Sequence, residues 1–265
     1  MMSFTLDQLY GWINAFFWPF VRLAALIGTA PLFGESSIPI RAKVGLAAVL
    51  TVAVAPAIGP LPGVAPASFE GFGIAIRQIL IGVAMGLTMR VAFAAVQTAG
   101  EFVGLQMGLS FASFFDPSTG ANTAVLSRLF NIVATLVFLA LDGHLLVLSA
   151  LVRSFDTLPI AATPLHAQGW GVLTEWGAQV IVSGLLMSLP IIAALLTINL
   201  AMGILNRSAP QLSVFAVGFP VSLLVGAILL TLILPQTTPF LERLFHSAFE
   251  ACSRMLLELR DAAGP

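Results

Sequence analysis

Apolar residues in this chain come in runs far longer than a half-buried strand or one face of a soluble helix needs, and polar or proline-bearing breaks separate the runs. Six are apparent: Leu9 to Phe33, Val44 to Ile58, Phe72 to about Gln97, Ala124 to Val152, Thr174 to Asn206, and Leu212 to Leu234. The first opens on Trp12, Phe16, Phe17, Trp18 and Phe20, a crowd of rings that suits a membrane interface. It also carries Arg22, which is expected to be a paired interior arginine. The second run is short and ends in the proline-rich loop Pro56 to Pro66. The fourth is interrupted by Leu141-Asp142-Gly143-His144, which predicts a satisfied polar kink. The fifth, if helical, reaches ~50 Å against a bilayer core of about 30 Å, and Pro190 predicts a kink within it. Pro220 lies inside the sixth. In the tail, Leu241, Leu244, Phe245, Ala248, Cys252, Met255 and Leu259 recur at helical spacing, which predicts an amphipathic helix lying on a surface or packing on a partner.

Between the third and fourth runs the pattern changes. Gly100, Gly104 and Gly108 give a helix one bare face on which a neighbouring backbone can approach closely; Gly82 and Gly86 repeat the device upstream. Arg90, Gln97 and Glu101 fall within an arc of roughly 40° on the same helix, a polar stripe that faces either an aqueous path or a polar partner helix. After Gly108 come Phe111, Phe114 and Phe115, then a turn through Asp116-Pro117 closed by Gly120.

Composition fixes the class. The chain of 265 residues is 58% hydrophobic and 9% charged, with a mean hydropathy of +1.02, so it is expected to be an all-α polytopic membrane protein. A net charge of −1 offers no basic face for nucleic acid. One cysteine, Cys252, excludes an intrachain disulfide. No cleavable signal peptide is expected, because the first basic residue is Arg22 and the first apolar run is too long. The basic residues do not orient the helices. Arg41, Lys43, Arg128 and Arg207 fall on one side, and Arg77, Arg153 and the C-terminal arginines on the other, a near tie. No zinc-protease, P-loop or dinucleotide motif is present, and His144, His166 and His246 are far apart in sequence. Neither an enzyme, nor a metal site, nor a cofactor is expected.

Three stretches together resemble the FliR family of export-apparatus proteins, found in bacterial flagella and related virulence-secretion systems. They are Pro31-Leu32-Phe33-Gly34 through Arg41-Ala42-Lys43-Val44-Gly45-Leu46-Ala47, then Asp142-Gly143-His144 through Ser154-Phe155, and Leu205-Asn206-Arg207-Ser208-Ala209-Pro210-Gln211-Leu212. The last is the most specific, a turn that sets Asn206, Arg207, Pro210 and Gln211 between two apolar helices. The resemblance implies about six long, kinked helices arranged as hairpins that assemble helically with companion subunits. Residues 1–170 would be built like FliP and 171–265 like FliQ. It further implies an export gate of the type III secretion system in the bacterial inner membrane, within the flagellar basal body. FliP and FliQ would be its partners in the gate, FlhB and FlhA would work with it, and unfolded export substrates would pass through. By the same resemblance a loop from Gln106 to Gly120 plugs the channel. Met107, Phe111, Phe114 and Phe115 would be its bulky seals, with Leu109, Ser110, Asp116 and Pro117 in the loop. The alternative is a secondary transporter with a midplane substrate site, built on the broken helices and the Arg90–Gln97–Glu101 stripe.

Overall fold

A computed structural model describes residues 6–59, 61–109, 125–208 and 214–260. All regular structure among them is helical: α1 (Leu6–Thr29), α2 (Ile40–Val54), α3 (Phe69–Gln106), α4 (Val125–Ala140), α5 (Gly143–Thr157), α6 (Ala167–Ser208), α7 (Val214–Ile233) and α8 (Thr238–Arg260), with short 3₁₀ turns at Ala55–Ala57 and Leu234–Thr237. Five helical stretches are long and apolar enough to cross a membrane, or six if α4 and α5 count as one broken span. The chain is therefore an all-α membrane protein.

Local chemistry explains where the helices begin and end. Ser68 caps α3: its hydroxyl accepts the Gly71 N–H at 3.0 Å and donates to the Ala65 carbonyl at 2.7 Å, so α3 begins three residues before the apolar run does. From there α3 continues without a break for 38 residues, taking in both the third apolar run and the glycine-rich stretch after it. The fourth run is split at Asp142, whose left-handed φ of 55° stops α4. The Asp142 carbonyl then accepts the N–H groups of Leu145 and Leu146 and starts α5. After α1 the Pro31-Leu32-Phe33-Gly34 stretch makes a tight reversal. Leu32 takes φ 72°, the Phe33 N–H reaches the Pro31 carbonyl at 2.9 Å, and the Gly34 N–H reaches that of Ala30 at 2.8 Å. Pro19, Pro190 and Pro220 all lie within continuous helices.

The chain divides into two compact units. The first comprises residues 1–91, 142–177 and 246–265, and the second 92–141 and 178–245. The first unit is centred on Trp18, Leu23, Leu26, Ile27, Ile74, Ile81, Met85, Leu151 and Met255, all essentially inaccessible to solvent. It is tightened where Gly82 lies on the Arg22 carbonyl and Gly86 on Thr29, positions where α1 leaves no room for a Cβ. Trp176 ties the start of α6 to α3 through its indole N–H, which donates to the Thr88 carbonyl at 2.8 Å. The second unit is centred on Phe93, Phe138 and Phe245, whose ring centroids are 5.1–5.4 Å apart, mostly edge to face.

The tail differs from expectation. All seven apolar positions of its stripe are buried within this chain, Leu241, Leu244 and Phe245 in the second unit and Ala248, Cys252, Met255 and Leu259 in the first. Leu259 lies on Gly169 and its carbonyl accepts the His166 N–H at 3.2 Å. The helix is amphipathic because it closes its own fold, rather than because it lies on a surface or a partner.

Candidate functional site

The polar stripe and glycine seam of α3 are the natural place to look for function. Arg90, Gln97 and Glu101 are all exposed on a helix whose other faces are largely buried. Within the second unit Gln97 meets a polar neighbour, donating from Nε2 to Asn131 Oδ1 on α4 at 3.0 Å. The Ser127 hydroxyl of α4 donates to the Gln97 carbonyl at 2.9 Å. Arg90 and Glu101 form no ion pair among the described residues. The two alternatives for the stripe thus divide by residue. Gln97 faces a partner helix of its own chain, whereas Arg90 and Glu101 are left toward whatever surrounds the protein.

The seam is tight at some glycines and loose at others. A Cβ on Gly100 would stand 2.6 Å from Ser127 Cα and 2.7 Å from its nitrogen, backbone atoms that cannot yield. On Gly104 a Cβ would meet only Leu126 Cδ1 at 4.0 Å, an ordinary contact. Gly108 is not on the helix at all. It sits at φ 79° just past the end of α3, where its N–H bonds the Leu105 carbonyl at 3.0 Å and the Leu109 N–H bonds that of Gly104 at 3.0 Å. This paired closure is the Schellman stop, and its left-handed residue favours glycine for lack of a Cβ. Gly108 therefore ends the helix instead of extending the seam.

Of the residues expected in a loop, Gln106 and Leu109 are half-buried at that helix end. Met107 is buried against Gly226 of α7, where an added Cβ would strike its Cγ, Sδ and Cε. In this structure Met107 belongs to the core of the second unit rather than to a free loop. Ser110, Phe111, Phe114, Phe115, Asp116 and Pro117 lie outside the described residues. Of the polar reversal, Asn206 is half-buried and Arg207 exposed in the last turn of α6, and Pro210 and Gln211 lie outside the described residues.

The chemically most demanding cluster lies in the first unit, and the sequence pointed to only one of its members. Arg22 is fully buried. Its Nε donates to Gln78 Oε1 at 2.8 Å, Nη1 to the Ser154 carbonyl at 2.9 Å and hydroxyl at 3.0 Å, and Nη2 to the Leu158 carbonyl at 2.8 Å. The Phe155 ring covers the guanidinium at 4.2 Å. The expected interior pairing is present, but every partner is neutral. The signal for Arg77 is a charge inside a spanning apolar run; Gln78 and Ser154 are neutral and carry no such mark. Arg77 donates to the Ala161 carbonyl at 2.6 Å, while its Nε, Gln78 Nε2 and, elsewhere in the unit, His144 Nδ1 are buried without partners among the described residues. His144 is thus less satisfied than a simple polar kink would leave it. No carboxylate among the described residues lies within 4 Å of Arg22 or Arg77.

The family model for bacterial export proteins, family 1, matches residues 13–248. The flagellar biosynthetic protein FliR of Pectobacterium carotovorum subsp. carotovorum is 49% identical over 262 residues, covering 99% of this chain and all of that protein. FliR of Escherichia coli K12 is 48% identical over 259 residues, with 98% and 99% covered. FliR of Bacillus subtilis 168 is 30% identical over 246 residues, with 91% and 94% covered. An all-helical membrane chain with a kinked fourth run and a glycine-stopped α3 therefore belongs to the bacterial export proteins, family 1.

Proposed function

We propose that this chain is a component of the flagellar type III export apparatus in the bacterial inner membrane, where it closes a helical channel assembly with FliP and FliQ and supplies its plug. Relatedness to flagellar biosynthetic proteins along nearly the whole chain supports the first part. The observation that carries the second is the stop at Gly108. A 38-residue helix is ended by a left-handed glycine immediately before a segment whose sequence holds Phe111, Phe114 and Phe115. Apolar rings at a constriction exclude water and ions without binding anything, and a loop launched from a rigid helix end can move aside for an unfolded chain. The exposed Arg90 and Glu101 suit a helix that borders polar surroundings along part of its length. On this reading residues 1–170 form the FliP-like part and 171–265 the FliQ-like part, and FlhB and FlhA act on the assembled gate.

The test is to delete Ser110 to Pro117 and separately to replace the three phenylalanines with serine. The deletion is expected to leave complex yield largely intact, because the α3–α4 contact at Gly100 lies before the deleted residues, while the membrane becomes leaky to ions and small solutes. The serine variant leaks less, since the loop still fills space. Normal assembly with no leak in either variant would refute the plug. A chain that purifies as a monodisperse, protease-resistant monomer in mild detergent would refute the gate assembly itself.

A further inference from the structure

The first turns of α3, the loop at 158–166 and the start of α6 enclose a groove of about 560 Å³ in the first unit. That volume is in the range of small-molecule sites. Its walls are mainly apolar, with Phe69, Ile76, Leu165 and Trp170 among them. Trp170, at the head of one spanning helix, is a ring type that settles at headgroup depth, and Phe69, 96% exposed at the head of another, adds apolar surface beside it. Two charged groups line the groove. Arg77 is more than nine-tenths buried and, among the described residues, has no acidic partner and keeps an Nε–H without an acceptor, its Nη1 alone reaching the Ala161 carbonyl. Glu70 is exposed two helical turns earlier on the same helix. Seven residues apart, Glu70 and Arg77 share one face of α3, with their charged ends more than 4 Å apart.

We propose that this groove binds one zwitterionic phospholipid of the phosphatidylethanolamine type, with its phosphate at Arg77, its ammonium toward Glu70 and acyl chain along the apolar wall. The charge pattern argues for the zwitterion. A cation with one carbonyl acceptor, no counter-charge within 4 Å among the described residues and a free Nε–H lies at the buried wall, and an unpaired carboxylate lies at the open end, so a purely anionic headgroup would satisfy Arg77 and confront Glu70. An acidic side chain from a companion protein would meet the same conflict. The primary ammonium donates hydrogen bonds that a carboxylate accepts, which a quaternary choline cannot do. The acyl chain supplies the apolar contact that a free headgroup lacks.

The full chain, purified with the companion subunits that accompany it and stripped of lipid in detergent, is titrated with phosphatidylethanolamine, phosphatidylcholine and phosphatidylglycerol of one acyl composition, and with glycerophosphoethanolamine. Lipid binding is read by native mass spectrometry and by the melting temperature. Phosphatidylethanolamine is expected to bind in one saturable step and raise the melting temperature. The other two lipids bind more weakly and the chainless headgroup has no effect. Gly73→Leu is expected to abolish binding. A Cβ at Gly73 meets nothing within 4 Å, so the larger side chain fills the groove without disturbing the fold. Arg77→Gln loses binding of every lipid. Glu70→Gln weakens phosphatidylethanolamine by a few-fold, the size of a partly exposed charge contact, and leaves phosphatidylglycerol unaffected or stronger. Equal response to all three headgroups, undiminished binding in Gly73→Leu, or photo-crosslinking from position 69 to a companion polypeptide in place of lipid would each overturn the proposal.

Discussion

Replacing Arg22 with methionine tests whether a buried guanidinium holds the first unit together. Methionine keeps most of the volume, so the cost comes from polar groups left behind rather than from a cavity. The hydrogen bonds show which groups suffer. The Ser154 carbonyl keeps the Leu158 N–H at 2.9 Å, and the Ser154 hydroxyl keeps the Leu151 carbonyl at 2.6 Å as its own acceptor. Among the described residues, Gln78 Oε1 and the Leu158 carbonyl have no second donor. A buried acceptor deprived of its donor costs about 1–3 kcal/mol, so Arg22→Met is expected to destabilise by about 2–6 kcal/mol. The melting temperature should fall by several degrees or more, since a kcal/mol corresponds to about 2–4 °C for a chain of this size. The assay is the temperature at which half the full-length protein, in its detergent-purified complex, is lost from the size-exclusion peak. Adding Gln78→Leu to Arg22→Met removes one of the two orphaned acceptors and the already unpartnered Nε2, so the double variant should melt above the single one. An Arg22→Met protein that melts with the parent, or a double variant no better than the single, would show that these hydrogen bonds carry no net stability.

The loose and tight glycines separate in a single comparison. Gly100→Leu should abolish accumulation of folded protein, because the added side chain meets Ser127 backbone at 2.6 Å, whereas Gly104→Leu should fold and lose at most assembly with companions; equal yields of the two would refute the packing account. Phe138→Ala should destabilise by about 3–5 kcal/mol, as expected for a ring buried against Phe93 and Phe245, measured by the same melting assay. Gly108→Ala should cost about 1 kcal/mol through its left-handed conformation, visible as earlier proteolysis of the 109–124 segment, while Gly108→Asn should cost less.

Much of this protein was determined by the sequence alone. Apolar runs too long and too poor in charge for water impose a membrane protein, and in lipid a backbone that must satisfy its own hydrogen bonds imposes helix. Local rules also placed several boundaries. The break at Asp142-Gly143 and the helical stripe of the tail are both present, because dihedral preference and side-chain period act over a few residues. What the sequence could not determine was which surface meets which. Glycines 100, 104 and 108 look alike as a repeat, yet one lies under the Ser127 backbone, one leaves ordinary contact distance to Leu126 and one stops the helix. The difference resides in α4, which is distant along the chain, and in a hydrogen-bond closure that period alone does not encode. The tail stripe announced a buried face but not its partner, and burial turned out to be against its own chain. Arg22 was legible as a charge in need of company. Its actual company, Gln78, Ser154 and Leu158, comes from 56 to 136 residues away, and only the tertiary structure brings those neutral acceptors around it, because no charge in the sequence marks them.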